Sequence, residues 1–191
     1  METRINFLGV PLDTLTLEET IIRVNNAILS NQQIHHCVIN AGKVAKMQKD
    51  NLLRESVINS DLINADGMSI VWAARFLGFK IPERVTGIDL MESLVSLSYK
   101  NDYKCFFLGA SSNVLNNLIC KYSNKYSEKI IAGYRDGYYS SKEESDIVNQ
   151  INNSNANILF VAMTSPKKEI FLNKFRKELG LSLIHISEPT R

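Results

Sequence analysis

Hydrophobic positions along the chain follow two alternating patterns, which are short continuous apolar runs and longer segments with helical spacing. The runs predict strands, and the longer segments predict the helices between them. Near-continuous apolar strands that alternate with helices are typical of a sheet buried on both faces. The pattern therefore predicts an α/β, Rossmann-like fold with a mostly parallel sheet and helices on both faces.

The predicted elements alternate along nearly the whole chain. Strands are predicted over 5–10, 34–39, 61–66, 104–108, 130–133 and 158–162. Helices are predicted over 16–28, 43–59, 68–77, 88–99, 113–126, 141–153 and 166–179. Two capping boxes, Thr16–Glu19 and Ser141–Glu144, mark helix starts. The length allows one domain over 1–180, and we predict that its two lobes cover about 1–100 and about 101–180.

Charge and hydropathy narrow the class of protein. The net charge of +2 is too small to indicate a nucleic-acid partner. No apolar run approaches the roughly 20 residues needed to span a bilayer. The start, Met1–Asn6, is polar and no signal-peptide core follows it, so we expect a cytoplasmic protein.

Cysteine and histidine spacing predicts neither disulfides nor a metal site. Cys37, Cys105 and Cys120 have no paired spacing and lie in apolar stretches, which predicts three reduced core thiols. His35, His36 and His185 lack metal-ligand spacing, and no DxD motif is present. We therefore expect no bound metal and no cofactor.

Polar clusters follow four of the predicted strands. They are Asn40, Asp66, Gly109–Ser112 and Thr164–Lys168. Ligands of open α/β sheets bind outside the carboxyl ends of the strands. We expect these four clusters to meet at one edge of the sheet.

The segment Phe107–Ser112 has the strand–turn–helix form that presents backbone N–H groups to a phosphate. It is neither GxGxxG nor a P-loop. A plain turn between strand and helix is therefore as good an interpretation as a nucleotide site.

The triplet Ala65–Gly67 places the Asp66 carboxylate at a strand end. Desolvation there would raise the pKa of the carboxyl and suit it to general-base work. The alternative is that Asp66 caps the helix beginning at Met68. The residues alone favour neither.

Two further segments carry cations. Arg84, in the loop 82–89, suits bidentate contact with a phosphate, although a surface ion pair is the more common arrangement. Lys167 and Lys168 lie at a helix start, where cations are unfavourable unless an anion sits between them. That mismatch favours a functional site over a solvated face.

The final segment Leu181–Arg191 matches the translation of a transposase sequencing adapter, a match too long for chance. On this hypothesis native sequence ends near Gly180 and the gene continues beyond it. The alternation over Leu181–Ile186 also fits a strand. An adapter segment can therefore still occupy a strand position.

Together these clusters resemble the WecG/TagA/CpsF glycosyltransferases (glycosyltransferase family 26) over essentially Ile5–Gly180. The most specific stretches are Ala65–Gly67 and Pro82–Leu90. Supporting segments in the same order are Asn40, Phe107–Gly109, Gly137–Tyr139 and Pro166–Glu169. On this resemblance the lobe of about 101–180 is the nucleotide-binding lobe.

The resemblance implies an inverting, metal-independent transfer from a UDP-sugar, typically UDP-N-acetylmannosamine. The implied acceptor is undecaprenyl-diphosphate-linked N-acetylglucosamine, and the products enter teichoic acid, common antigen or capsule. The implied location is peripheral, at the inner face of the plasma membrane. Relatives self-associate, and an interface or the core would each explain Met47, Leu52, Leu53, Trp72 and Phe76.

The resemblance also assigns site residues. Asp66 matches the base that deprotonates the acceptor hydroxyl, and Arg84 matches a pocket residue near the substrate. We predict that Arg84 is also catalytic, because together with Lys168 and helix N-termini it stabilises the charge of the departing UDP. The implied substrate contacts are Asn40, Thr86, Asp89 and Lys168. The implied nucleotide contacts are Gly109, Ala110, Ser111, Gly137, Pro166 and Lys167. Lys168 replaces a common Gln and Val38 a common Thr, so the donor sugar stays open.

Relatives continue with a glycine-rich loop and a basic segment that docks on the membrane and supplies arginines. We therefore expect little or no transferase activity from these 191 residues, and activity from the completed gene product. A non-catalytic nucleotide-binding or regulatory domain is a second class, against which Asp66 argues only weakly. The missing GxGxxG disfavours a third class, a nicotinamide-dependent oxidoreductase.

Overall fold

The computed structural model describes residues 3–186. The strands are β1 (Arg4–Phe7), β2 (Val10–Asp13), β3 (Ile34–Ile39), β4 (Leu62–Ala65), β5 (Cys105–Gly109), β6 (Ile131–Arg135), β7 (Ile158–Ala162) and β8 (Leu183–Ile186). The helices are α1 (Leu17–Leu29), α2 (Ala41–Met47), α3 (Asn51–Ile58), α4 (Met68–Phe76), α5 (Gly87–Asn101), α6 (Ser112–Lys125), α7 (Glu144–Asn153) and α8 (Lys167–Phe175). Short 3-10 turns cover Glu128–Ile130 and Ser141–Glu143.

Six strands form one sheet in the order β4-β3-β8-β7-β5-β6. Every neighbouring pair in it is parallel. Alternate residues of β5 enter opposite apolar clusters, with Phe106 and Leu108 in one and Cys105 and Phe107 in the other. Both faces are therefore covered, which confirms the predicted α/β fold.

The chain begins with an antiparallel hairpin of β1 and β2, so the single strand predicted over 5–10 is wrong. Leu8 and Gly9 have φ of 53° and 77°, which a continuous strand does not allow. The Asn6 side-chain oxygen accepts a hydrogen bond from the Gly9 N–H at 2.8 Å. This local bond stabilises a turn where the apolar pattern suggested continuity.

Two helix starts also differ from the prediction. The second capping box is formed by Ser140 and Glu143, one residue earlier than predicted, and a 3-10 turn precedes α7. The helical region 43–59 is two helices, because the Asp50 side chain accepts a hydrogen bond from the Leu53 N–H and begins α3. Side-chain caps set these boundaries more strongly than the apolar pattern does.

Burial distinguishes core residues from exposed ones among the five apolar residues for which the sequence left both the core and an interface open. Met47 and Leu53 are buried, whereas Leu52, Trp72 and Phe76 are exposed. Self-association through the exposed residues stays a prediction.

The three cysteines do not share one environment. Cys37 and Cys105 are buried, but Cys120 is exposed on α6, so the prediction of a core thiol is wrong there. Leu115 and Tyr122 mark the buried face of that helix, and Cys120 lies off it. Among residues 3–186, no helix combines the length and the apolar character that crossing a bilayer requires.

The strand β8 lies at the centre of the sheet. It pairs with β3 on one side, where Leu183 is opposite Ile34, and with β7 on the other, where Leu183 is opposite Ile158. Strands from the first half of the chain therefore reach those of the second half through β8. The division into two lobes stays a prediction, and so does the adapter origin of this segment.

A buried polar chain crosses β4, β3 and β8. The rings of His36 and His185 stack with centroids 4.8 Å apart, and their Nδ1 atoms are separated by 2.9 Å. His36 Nε2 lies 2.9 Å from the Asn64 side-chain oxygen, and His185 Nε2 lies 3.0 Å from the Gly87 carbonyl oxygen. Burial lowers the pKa of His36 to about 4. These buried polar side chains therefore connect β8, in the interior of the sheet, with the start of α5.

We expect stability to fall in mild acid because of His35. Burial, and then the charge of Arg176, lowers the pKa of His35 from 6.5 to about 3. The unfolded chain takes up this proton near pH 6.5, while the folded chain does not until about pH 3. The free energy of unfolding should therefore drop as pH falls through that window, by on the order of 1 kcal/mol per pH unit.

Urea unfolding at pH 7.5, 6 and 5 measures this dependence. His35→Leu should have a shallower dependence than the wild-type chain, because one titrating group is removed. An identical slope in the two proteins would contradict the assignment to His35.

Candidate active site

Asp66 lies directly after β4, beside the end of β3. Its backbone N–H donates to the Ile39 carbonyl oxygen at 2.8 Å, and the residue is half-buried. The N-cap of α4 is Gly67 rather than Asp66, so the capping alternative placed the wrong residue at that position. Asn40 packs against Gly67 and caps α2 by accepting from the Lys43 N–H at 2.9 Å. Two predicted site residues are thus adjacent at the sheet edge.

The loop 82–86 is held against this edge by hydrogen bonds. The Val85 N–H donates to the Ala65 carbonyl oxygen at 2.9 Å. The Arg75 guanidinium of α4 donates to the Pro82 carbonyl oxygen at 2.9 Å. These bonds fix the backbone on both sides of Arg84.

A cavity of about 290 Å³ opens at this point. Its lining residues are Asp66, Arg84, Thr86, Gly87, Ile88 and Asp89. Arg84 is exposed and forms no ion pair within residues 3–186, so the alternative of a surface ion pair finds no support there. The Thr86 hydroxyl oxygen accepts from the Asp89 N–H at 3.0 Å and caps α5. The cavity brings together four residues that the sequence assigned to the site.

A second cavity, of about 260 Å³, lies between the ends of β5 and β7. The chain leaves β5 toward the edge strand β6 but leaves β7 toward the central β8. Neighbouring strands whose connections diverge in this way form a topological switch point, where open α/β sheets bind ligands. The lining residues are Ala110, Ser111, Val114, Gly137, Tyr138, Ala162, Met163, Thr164 and Lys167.

Close backbone packing forms the floor of this second cavity. Gly109 has φ of +124°, and a Cβ added there would lie 2.5 Å from the Ala162 carbonyl atoms. The Ala110 N–H donates to the Ala162 carbonyl oxygen at 2.8 Å, and the Gly137 N–H donates to the Ala110 carbonyl oxygen at 3.0 Å. Only glycine fits at residue 109, which explains the glycine of the sequence motif.

The N-terminus of α6 faces the second cavity. Ser111 occupies the N-cap position without a side-chain cap hydrogen bond. The first N–H groups of a helix have no partners within the helix, and they favour anions. Lys167 adds a cation, whose ammonium donates to the Gly137 and Tyr139 carbonyl oxygens at 2.9 and 3.2 Å. These carbonyl contacts stabilise one of the two lysines at the start of α8.

Lys168 does not lie where its predicted substrate contact requires. Its side chain is completely buried, and it lines neither cavity. Pro166 is the N-cap of α8 and also lies outside both linings. The next residue, Glu169, is buried and forms an ion pair with Lys43 of α2 at 2.9 Å. No local pattern indicates this pair, since more than a hundred residues separate its members.

We expect Gly109→Ala to destabilise the protein more than Gly78→Ala does. Gly78 also has positive φ, +85°, but an added Cβ there meets nothing within 4 Å. Both variants carry a backbone penalty of roughly 1–3 kcal/mol, because residues with a Cβ rarely adopt positive φ. Gly109→Ala should cost roughly 2 kcal/mol more, because its Cβ collides with the β7 backbone.

Urea unfolding of both variants measures the difference in the free energy of unfolding. Equal losses would contradict the close contact between the ends of β5 and β7.

Three residues near the second cavity were not assigned to the site from the sequence. Asp136 follows β6, and Tyr134 and Tyr138 are exposed beside it. A signal was available, since an acidic residue after the second strand of a β–α–β unit is typical of nucleotide sites. The segment Gly137–Tyr139 resembles family members, and the carboxylate that sequence reasoning missed lies directly before it.

The parallel sheet with cavities at its carboxyl edge defines an α/β protein of the Rossmann-like class. The chain belongs to the glycosyl transferase WecG/TagA/CpsF family, whose model matches residues 5–187. This family assignment agrees with the resemblance seen in the sequence.

Two curated relatives are named N-acetylglucosaminyldiphosphoundecaprenol N-acetyl-beta-D-mannosaminyltransferase. The protein from Bacillus subtilis is 29% identical over 128 residues, covering 67% of this chain and 49% of the relative. The protein from Bacillus spizizenii is 32% identical over 123 residues, covering 64% of this chain and 47% of the relative. The chain thus spans about half the length of the curated relatives it matches.

Proposed function

We propose that this chain is the substrate-binding part of an inverting glycosyltransferase. The donor is a UDP-sugar, N-acetylmannosamine or a related hexose, and the acceptor is undecaprenyl-diphosphate-linked N-acetylglucosamine. Transfer serves cell-surface polysaccharide or teichoic acid synthesis, at the inner face of the plasma membrane. The names of the two relatives support this acceptor and this sugar. The observation that carries the proposal is the cavity shared by Asp66 and Arg84.

Asp66 acts as the general base in this proposal. Its carboxylate takes the proton from the acceptor hydroxyl, the oxygen attacks the sugar C1, and the bond from C1 to the UDP oxygen breaks. The position directly after β4, in the lining of the first cavity, suits this role, because a general base must lie within hydrogen-bond reach of the proton that it takes up.

The departing UDP gains negative charge, which needs positive groups fixed in advance. Arg84 lies at the first cavity, while the N-terminus of α6 and Lys167 lie at the second. We assign charge stabilisation to these groups. Lys168, which the sequence suggested for the same work, is too buried to contact the donor in this structure.

Nucleotide binding is the first test. The chain should bind UDP, and NAD should not compete, as measured by isothermal titration calorimetry. Binding of NAD in place of UDP would support the oxidoreductase alternative and overturn the proposal.

Transfer is the second test, and it uses the protein that the whole genomic locus encodes. This completed protein should transfer N-acetylmannosamine from UDP to the lipid-linked acceptor. Arg84→Ala should lower kcat/KM at least about tenfold, since it removes a charge-assisted hydrogen bond to a phosphate. UDP binding without any transfer would favour the regulatory alternative.

A further inference from the structure

A carboxylate lies at the opposite end of the sheet edge from Asp66. Asp136 follows β6 directly and is half-buried. The Ser112 hydroxyl donates to its Oδ2, and the Tyr138 N–H donates to its Oδ1, both at 3.0 Å. These bonds hold the carboxylate beside the first turn of α6. Each oxygen of a carboxylate accepts two hydrogen bonds, so both keep further acceptor capacity.

This carboxylate opens onto a third cavity, of about 390 Å³. Its lining residues are Ser112, Leu115, Asn116, Tyr134, Arg135, Asp136 and Tyr138. Tyr138 also lines the second cavity, so the two cavities adjoin at this side chain, and we refer to them together as the groove. Tyr138 is 81% exposed and Tyr134 is 50% exposed, which leaves aromatic faces open along the groove.

Charge differs along this groove. Arg135 pairs with Glu143 at 2.6 Å, so its charge is already balanced at the third cavity. The third cavity therefore presents a carboxylate and aromatic rings, which suit neutral hydroxyls and a planar base. The second cavity presents a helix N-terminus and Lys167, which suit phosphates.

We propose that Asp136 binds the ribose hydroxyls of the donor nucleotide and that Tyr138 stacks on its base, an inference that rests on the proposed function. A carboxylate repels phosphate but accepts two hydrogen bonds from a vicinal diol. The unit β5–α6–β6 has the strand–helix–strand order in which an acid after the second strand binds ribose. The ligand class is thus a ribonucleotide with both hydroxyls free.

The ribose and base contacts together set the orientation of the donor along the carboxyl edge of the sheet. The strands β6 and β4 are five strand spacings apart in the sheet, or about 24 Å. The base lies at β6, the diphosphate at the ends of β5 and β7, and the sugar extends toward β3 and β4. The sugar then points toward the cavity that holds Asp66.

Binding of UDP and 2′-deoxy-UDP tests the ribose contact in the chain as it stands. The wild-type chain should bind UDP at least about tenfold more tightly than 2′-deoxy-UDP, because the deoxy sugar lacks one of the two hydroxyl donors. In Asp136→Ala this ratio should fall to near one. Asp146→Asn removes an exposed carboxylate of α7 outside the groove and should keep the wild-type ratio.

A purely structural role for Asp136 would weaken both nucleotides equally and preserve the ratio, which would overturn the ribose assignment. A wild-type ratio near one would overturn it as well, while UDP binding itself would leave the proposed function intact. No UDP binding by the wild-type chain would overturn both proposals.

Tyr138→Ala tests the stacking contact. It should weaken UDP at least about tenfold and leave pyrophosphate binding unchanged, whereas Tyr138→Phe should bind UDP as the wild-type chain does. Equal UDP affinity in Tyr138→Ala and wild type would overturn the stacking contact.

Discussion

Removal of residues 181–191 should unfold the protein. The deletion takes away β8 and leaves β3 and β7 without their shared neighbour. Leu181, Leu183 and Ile184 are buried, and each such side chain contributes about 1.5–3 kcal/mol. Their combined loss is comparable to the roughly 5–15 kcal/mol by which a whole domain is stable.

Circular dichroism and urea unfolding of the shortened chain measure this effect. A matched control removes only residues 187–191, which leaves β8 in place and should preserve cooperative unfolding. A cooperative transition in the chain that ends at Gly180 would show that the sheet forms without its central strand.

Asp66→Asn should lower kcat of the completed protein by roughly 10²–10⁴, the contribution expected of a general base. The amide cannot take up the proton of the acceptor hydroxyl, but it keeps the size and the polarity of the side chain. Donor binding should change little, because in the proposed reaction Asp66 acts on the acceptor and not on the donor. The free energy of unfolding of this variant is measured in parallel, so that any loss of stability is separated from the loss of the base.

Asp89→Asn is the matched control, because it removes the same charge from the lining of the same cavity. Its kcat should fall less than about tenfold, because Asp89 is a predicted substrate contact in the first turn of α5, and losing such a contact raises KM more than it slows the chemical step. Single-turnover kinetics with saturating donor separates the chemical step from binding. Equal losses in the two variants would mean that cavity charge, rather than a base at residue 66, governs the rate.

Apolar periodicity sufficed to predict the parallel sheet, since apolar runs such as β5 and β7 alternate with segments of helical spacing. The hairpin at Leu8 and Gly9 was missed, because a turn inside an apolar run depends on φ and on one Asn side chain. Local apolar patterns predict the positions of strands well, but they predict the geometry of turns poorly.

Ligands of open α/β sheets bind at the carboxyl ends of the strands. This rule predicted a site at the end of β4, where Asp66 and Arg84 line one cavity although they are almost twenty positions apart in the sequence. The structure does not bring Lys168 to either cavity, because the direction of a side chain at a helix start depends on how that helix packs. The contact of His36 with His185 was likewise not predictable from the sequence. Strand order in a sheet decides which distant residues meet, and no local signal in the sequence reports it.

Because β8 lies between strands that precede it in the sequence, its synthesis determines when the sheet can be completed. Residues 183–186 leave the ribosome after every strand on either side of them. Until then the nascent chain has two separate half-sheets, and β3 and β7 each present an unpaired edge. Such edges are templates for pairing with other chains, so the interval before β8 inserts is one in which the nascent chain is exposed to aggregation.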